Sequence, residues 1–515
     1  MDLISPTFHI QTFGCQMNAA DSDWLARALS DSGLLEASFA EAGIYILNTC
    51  SVRDKPEQKL YSELGRIAHY CKTNKKKAVV CVGGCVAQQA GVKLAARFPQ
   101  VRLVFGSDGI AEAPQAIARL AADPTLRISL LGFTEKYQER LEPHRLAKFE
   151  DSKKTAVQPC AFVNIMQGCD NFCAYCIVPF VRGRQKSRAP EAILHECRTL
   201  TANGTREITL LGQNVNAYGL DGDGLSFADL LRKISALPDL LRLRFVTSHP
   251  KDLAVEVIEQ FADNPKLCPR LHLPLQSGSD KILQAMNRRY DMNQYMNLVK
   301  NLRTARPDIA LTTDLIVGFP GESEADFQAT LHVMDEIKYA AAFSFAYSDR
   351  PGAAAVSLPD KISREKALER LAILQNMQNQ YSGILLQSMR GKESVILLEG
   401  KSHMETLLPG EDADRKKNPK AKQSLITPKS ESAKNAQSPS TGSCESWHGR
   451  TPHGFIVNVM LDTGLDAPFP GNKATKKEGV MKSTSEGMMR GAMLPVRIEA
   501  AAKHSLKGVQ TAAPW

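Results

Sequence analysis

Apolar and polar positions along the first 150 residues alternate in blocks that predict repeated strand-and-helix units. Three strand-like runs read FHIQTFGC (8 to 15), IYILNTC (44 to 50) and AVVCVGGC (78 to 85), and each ends in cysteine. Cys15, Cys50 and Cys85 recur at equal intervals of 35 residues, close to the ~30 residues of a strand-helix-strand unit. Helical patterns fill the gaps. DSDWLARALSDSG opens on Asp21 as a cap and closes at Gly33, and KPEQKLYSELGRIAHYC follows the second strand. Parallel neighbouring strands would bring the three cysteines out at one carboxyl edge, where open α/β sheets hold ligands. Cys81, inside its strand, reads as core; the lysines of KTNKKK, beside Cys71, read as a solvated face.

After a polar linker, DSKKTAVQ (151 to 158), the alternation lengthens. Six strand-like runs follow: AFVNIM (161 to 166), EITLLGQ (207 to 213), LRLRFVTS (241 to 248), LHLPLQS (271 to 277), LTTDLIVGF (311 to 319) and AAFSFAYS (341 to 348). Helical stretches separate them, such as PEAILHECRTLTANG with Pro190 at its start and Gly204 at its end. This predicts a parallel sheet curled into a partial (β/α)6 barrel over 155 to 385, with its chemistry at the carboxyl ends of the strands. From about 386 the pattern shifts to short strands, ESVILLEG (393 to 400), GFIVNVML (454 to 461) and MLPVRIEA (493 to 500). They predict a small β domain over 386 to 510. A polar insertion at about 403 to 446, rich in Lys, Ser, Pro and Asn, has the composition of disorder, and a second loop spans 470 to 491. The fold class is therefore α/β, with an N-terminal parallel domain over 1 to 150, the partial barrel, and the interrupted β domain.

Composition narrows the chemistry. A chain of 515 residues is expected to form two or three domains. No apolar run approaches the ~18 residues of a membrane span. The opening MDLISPTFHIQTFGC lacks a basic segment followed by an apolar one, so a cytoplasmic protein is expected. Twelve cysteines in such a chain point to metal binding or catalysis rather than disulfides. A net charge of +9 and a pI near 8.9 mildly favour a polyanionic partner.

The stretch GCDNFCAYC places Cys169, Cys173 and Cys176 on one short loop after the first barrel strand. Thiolates are soft ligands for iron or zinc. Structural zinc usually takes four ligands in C-x2-C pairs, and no second such pair lies nearby. Three thiolates suit a 4Fe-4S cluster with one iron left open to a substrate, with Phe172 and Tyr175 as apolar cover.

This spacing, on the first strand of a six-strand alternation, resembles the radical S-adenosylmethionine enzymes. The resemblance implies that the open iron chelates S-adenosylmethionine and that reductive cleavage yields a 5′-deoxyadenosyl radical. QTFGCQMN around Cys15, LNTCSVRDKPEQKLYSELGR around Cys50 and GGCVAQQ around Cys85 are similar to the methylthiotransferases. In that family these cysteines hold a second 4Fe-4S cluster that carries the inserted sulfur. GCDNFCAYCIVPFVRGRQKSR, LLGQNVNAYG, LRFVTSHPKD, LPLQSGSDKILQAMNRRY and DLIVGFPGE resemble the bacterial tRNA branch. That branch implies methylthiolation at C2 of N6-isopentenyladenosine beside the anticodon, with S-adenosylmethionine as radical source and methyl donor. HGRTPHGFIVNV and LPVRIEAAAKHSLKG look like the tRNA-binding TRAM barrel, which implies phosphate contacts from Arg450, Arg497, Lys503 and Lys507. The expected partners are the tRNA anticodon stem-loop, an electron donor such as a flavodoxin or ferredoxin, and a donor that restores the sulfur. The chain is expected to work as a monomer.

Gln213, Gln276, Ser277 and Gly318, with Ser248, sit at barrel strand ends and are candidates to hold the cofactor's polar groups. Arg182, Arg184, Lys186 and Arg188 could meet RNA phosphates or the cofactor carboxylate, or pair structurally with nearby acids. His249 and His272 fall at the same edge. Cys160, Cys197, Cys268 and Cys444 lack cluster spacing. Two other functions stay open: a sibling methylthiotransferase acting on threonylcarbamoyladenosine or a ribosomal-protein aspartate, and a non-catalytic iron-sulfur RNA-binding protein.

Overall fold

The computed structural model describes residues 5–51, 54–140, 158–222, 224–402, 444–462 and 489–515. These divide into two compact units, Met1–Leu385 and Leu386–Trp515. The linker at 151 to 158 lies almost wholly outside the described residues, as do most of the insertion and of the second loop.

The first unit opens with a six-stranded parallel sheet. Its spatial order is Leu35–Glu36, Thr7–Phe13, Ile44–Thr49, Val79–Gly84, Val101–Phe105 and Ile128–Leu130. The central strands are buried on both faces, as parallel sheets require, so they read as unbroken apolar runs. Successive side chains divide between two cores. Ile44 and Ile46 pack with Phe8, Leu25 and Ile117 on one side, and Tyr45 and Leu47 pack with Leu60, Val82 and Leu94 on the other. The three strands read from sequence are adjacent. The strand at 101–105, and the helix Ala113–Ala122 behind it, complete a sheet wider than those three runs alone imply.

One boundary differs from expectation. The first helix spans Gln16–Asp31, and its N-cap is Cys15 rather than Asp21. The Asn18 side chain accepts the Cys15 N–H (3.4 Å), which starts the helix at the strand's end. Asp21 lies inside the helix, buried, with its carboxylate on Arg140 at 2.6 Å.

The second part of this unit holds six parallel strands in two runs of three. Cys160–Asn164 pairs with Glu207–Leu211, which pairs with Arg242–Phe245. Arg270–His272 pairs with Ala310–Val317, which pairs with Ala341–Ala346. A single parallel bridge, Leu243 to Leu267, links the two runs, giving the open six-strand barrel. The helix Pro190–Ala202 starts on its proline, and Gly204 follows it at φ +93°.

The second unit is a closed five-stranded barrel in the order Glu393–Lys401, Cys444–Arg450, Ile456–Asp462, Leu506–Gln510, Met493–Ala501. Trp447, Ile396, Val459, Val496 and Ile498 fill it. Cys444–Arg450 is a strand, so the insertion stops short of residue 446; its pairing partner Ile456–Asp462 fixes the register. No helix among the described residues is long and apolar enough to cross a membrane.

Candidate cluster sites

Cys15, Cys50 and Cys85 follow three neighbouring strands whose last residues are in register, Phe13 with Thr49 and Thr49 with Gly84. Each strand turns sharply there. Gly84 takes φ +87°, and a Cβ on it would meet Thr49 O at 2.3 Å and Asn48 Oδ1 at 2.7 Å. Only glycine lets the chain pass directly into the helix Cys85–Arg97. Behind the turn, Asn18 and Asn48 lock two of the strand ends together: Asn18 Nδ2 donates to Asn48 Oδ1, and Asn48 Nδ2 donates to Asn18 O, both at 2.9 Å. Cys50 and Cys85 are buried, while Cys15 is open.

The thiols act on one another. Hydrogen bonding with Cys50 brings Cys15 down to about 6 and Cys85 down to about 5, against the effect of burial, and the Arg182 charge adds to both shifts. The same bonds push Cys50 up. A thiol lowered in this way gives up its proton to a metal more readily.

The second set sits on the loop after the first barrel strand. Gly168 at φ +79° starts it, where a Cβ would strike Arg184 O at 2.0 Å. The loop is tied down at several points. Cys169 N–H donates to Gly183 O (3.3 Å), Ala174 N–H to Met286 O (2.9 Å), and Val178 N–H to Cys176 Sγ (3.4 Å). Phe172 is held at φ +47°, a conformation few side chains adopt. Burial pushes the Cys169 thiol up to about 11 and Cys176 up to about 12. Such sulfurs become ligands when a metal's charge replaces the proton.

Two residues complete this site. Arg288 is buried, donates Nη1 to Cys173 Sγ (3.4 Å) and to the Tyr175 hydroxyl (3.3 Å), and is fixed by Nη2 on Pro274 O (2.8 Å). Nothing in local spacing marks it, although it lies in the stretch LQAMNRRY. His249 Nε2 lies 4.0 Å from Cys173 Sγ, and its Nδ1 accepts from Lys251 N–H. Burial brings His249 down to about 2, so the ring is neutral, with its proton on Nε2.

The other candidates divide. Gln213 Oε1 accepts from Gly168 N–H (2.6 Å) and its amide nitrogen meets Met17 Sδ, so it braces the cysteine loop against the first sheet domain. Ser277 is fully buried and its hydroxyl accepts from Ser279 N–H (3.3 Å). Gln276 adopts φ +76° between Asp314 O and Ile316 N–H. Gly318 N–H donates to Glu322 (2.7 Å). Ser248 Oγ and both amide atoms of Asn216 are buried without a partner at the ends of the third and second strands. Asn216 was legible only as part of LLGQNVNAYG. His272 rests between Thr312 and Asp314.

Of the basic residues after the loop, Lys186 pairs with Asp108 (2.6 Å, both buried), and Arg188 pairs with Glu139 and Glu196. Arg184 pairs with Asp170 yet stays 72% exposed. Arg182 reaches toward Asp21 (3.8 Å), and its charge helps lower Cys85. Structural pairing thus accounts for Lys186 and Arg188. In the separate β-barrel, Arg497, Lys503 and Lys507 are exposed together on one hairpin, while Arg450 sits on another strand against Glu399 (3.1 Å).

The donor sets suit cubane clusters. Each offers three thiols and no fourth, and each has buried polar atoms left over beside it: Ser51 Oγ and Arg182 Nη2 at the first, Ser248 Oγ near the second. No three His, Cys, Asp or Glu side chains among the described residues are spaced for a single ion; a cubane does not need this, since its thiolates bind separate irons.

Comparison with known proteins identifies the domains that carry these cysteines. Residues 163–334 match the radical SAM superfamily, and residues 7–106 match the uncharacterized protein family UPF0004. The tRNA-2-methylthio-N(6)-dimethylallyladenosine synthase of Nitratidesulfovibrio vulgaris is 53% identical over 513 residues, 99% of both chains. The enzyme of that name from Oleidesulfovibrio alaskensis is 53% identical over 504 residues, 98% of both chains, and that from Lawsonia intracellularis is 46% identical over 510, again 98% of both. With a six-strand radical SAM barrel behind one cysteine set and a matching N-terminal domain behind the other, the chain belongs to the tRNA-2-methylthio-N(6)-dimethylallyladenosine synthase family.

Proposed function

We propose that this enzyme methylthiolates C2 of N6-isopentenyladenosine next to the anticodon of tRNA; the dimethylallyl group in its relatives' names is the same N6 substituent. Cys169, Cys173 and Cys176 hold the 4Fe-4S cluster that binds S-adenosylmethionine, and Cys15, Cys50 and Cys85 hold the sulfur-carrying one. Bound there, these groups supply a 5′-deoxyadenosyl radical for hydrogen abstraction and a methylated sulfur for transfer.

The protein's own residues position these groups. Arg288 and neutral His249 flank the sulfur of Cys173. Ser248 and Asn216, whose buried polar atoms have no partner, offer hydrogen bonds at the barrel mouth to the cofactor's polar groups, and Gln276 and Gly318 shape the neighbouring strand ends. Gln213 keeps the cysteine loop seated on the first sheet domain. Arg497, Lys503 and Lys507, with Arg450, meet tRNA phosphates. The target nucleotide leaves its stack to reach the site, as base-modifying enzymes require. A flavodoxin or ferredoxin supplies electrons, a separate donor restores the sulfur, and the enzyme works as a cytoplasmic monomer.

The observation that carries this reading is the joining of the two cysteine sets by one short helix, Val178–Arg182. It follows Cys176 directly, and Ile177 and Val181 pack on Cys85. The test is a nucleoside mass spectrum of isopentenyladenosine-containing tRNA after anaerobic incubation with the reduced, reconstituted protein and S-adenosylmethionine. A methylthio product that disappears in Cys169→Ala and in Cys50→Ala is expected. Unchanged tRNA with 5′-deoxyadenosine formed would move the reaction to another substrate.

A further inference from the structure

The helix that joins the two cysteine sets ends on a buried cation. Arg182 is 4% exposed, follows Val181, which packs on Cys85, carries a charge that acts on the Cys85 thiol, and leaves Nη2 with no hydrogen-bond partner. Its nearest carboxylate, Asp21 Oδ2, is 3.8 Å away, too long for a hydrogen bond. That carboxylate already serves Arg140, whose Nη2 sits 2.6 Å from Oδ1. Two guanidinium groups, buried Arg182 and partly buried Arg140, therefore share one carboxylate, and Arg182 is the poorly matched one. An uncompensated charge in a buried position is strongly unfavourable. Most of the other cations that follow the cysteine loop have a close acid: Arg184 has Asp170, Lys186 has Asp108, and Arg188 has Glu139 and Glu196. What stands against Arg182 in place of an acid is the sulfur of Cys85, and Cys15 lies within its field.

We infer that Arg182 is a positioning residue for the sulfur-carrying cluster: its guanidinium balances the charge of that cluster and donates a hydrogen bond to a sulfur there. This rests on the proposed assignment of Cys15, Cys50 and Cys85 to that cluster. Two consequences follow from chemistry alone. A buried positive charge and an N–H to sulfur both favour the reduced, more negative cluster, so they raise its reduction potential. Because Arg182 is only six residues beyond Cys176, the loop that binds the radical cofactor also sets the electrostatics of the sulfur donor.

The test uses the full chain carrying Cys169→Ala, Cys173→Ala and Cys176→Ala, so that only the sulfur-carrying cluster is observed. Iron content, redox titration and electron paramagnetic resonance of the reduced cluster are compared with and without Arg182→Gln. Arg140→Gln serves as the control that touches Asp21 but no cysteine. The expected result is a more negative midpoint potential and altered resonance in Arg182→Gln, with Arg140→Gln matching the parent. Arginine labelled with heavy nitrogen should also give an electron-spin-echo coupling to the reduced cluster in the parent, a readout that needs no substitution at Arg182. A potential unchanged by Arg182→Gln at full iron content overturns the inference, as does absence of the nitrogen coupling should Arg182→Gln fail to load iron. A parent that binds no iron at all after the three alanine substitutions would instead sink the assignment of the first cysteine set, and with it the functional reading.

Discussion

Gly84 shows how much of the first site depends on a missing side chain. A methyl group there would meet Thr49 O at 2.3 Å in a backbone already at φ +87°. Gly84→Ala is expected to destabilise the fold by about 1–3 kcal/mol and to lower iron at the first cysteine set selectively, which iron analysis of the Cys169→Ala background would read. Arg288 illustrates the opposite kind of residue, a large group held by its partners. Arg288→Ala removes the donor to Cys173 and leaves Pro274 O without it. Loss of such support around a metal ligand typically lowers affinity or activity by about 10–100-fold. A drop of that order is expected in 5′-deoxyadenosine formation, with iron at the first set unchanged. At this scale the cysteines were plain in the sequence because their chemistry and spacing are unusual, whereas Arg288 looked like any other surface cation. Its role depends on a loop more than a hundred positions away folding onto it.

Elements carry the next layer of stability. The two-residue strand Lys186–Ser187 brings Lys186 from the barrel to Asp108 of the first sheet domain, where both are buried and 2.6 Å apart. Lys186→Met leaves the carboxylate without its cation, although Thr134 N–H (2.7 Å), the Thr134 hydroxyl (3.0 Å) and Gln167 Nε2 still donate to it. Removing one partner of a buried pair costs on the order of 3 kcal/mol, so a correspondingly lower denaturant midpoint is expected. The helix Glu324–Ile337 is held by a capping box in which Asp326 accepts from Ser323. Burial alone would raise this carboxyl; the hydroxyls of Ser279 and Ser323 and the Ser323 amide outweigh it and hold Asp326 at about 2. Its folded value lies below the ~3.9 of an unfolded chain. The stabilisation is therefore complete above about pH 4 and is lost as pH falls toward 2. Melting temperatures across that window should fall less steeply for Asp326→Asn than for the parent. Strand and helix existence was largely readable from periodicity, but the start of the first helix was not. Asp21 is a good cap by type, yet Cys15 and Asn18 took that role because the strand ends there, and Asp21 turned inward to meet arginines distant in sequence.

For the whole molecule, the proposed function divides between the unit that carries both cysteine sets and the small barrel, whose exposed basic hairpin is proposed to meet RNA. The exposed hairpin residues Arg497, Lys503 and Lys507 should each add to the salt dependence of tRNA binding. Replacing all three with alanine is expected to weaken binding and to flatten the plot of log affinity against log salt by roughly 0.7–0.9 for each phosphate no longer neutralised. Arg450→Ala, whose charge faces Glu399, should change that slope less. Closure of the β domain into a barrel was implied only by family resemblance, whereas sequence by itself determined the α/β class, the six parallel barrel strands and the short strands of the β domain, and marked the two cysteine sets as candidates. These follow from periodicity and from ligand chemistry, which are local properties of the chain. Tertiary structure alone decided which charges meet. Lys186 and Arg188 pair with acids from other segments, Gln213 with the backbone of Gly168, and Arg182 is left with half of a shared carboxylate and a charge that acts on Cys85. Pairing energies depend on distance and burial, and neither is written along the chain; both arise only when the two sheet layers close on each other.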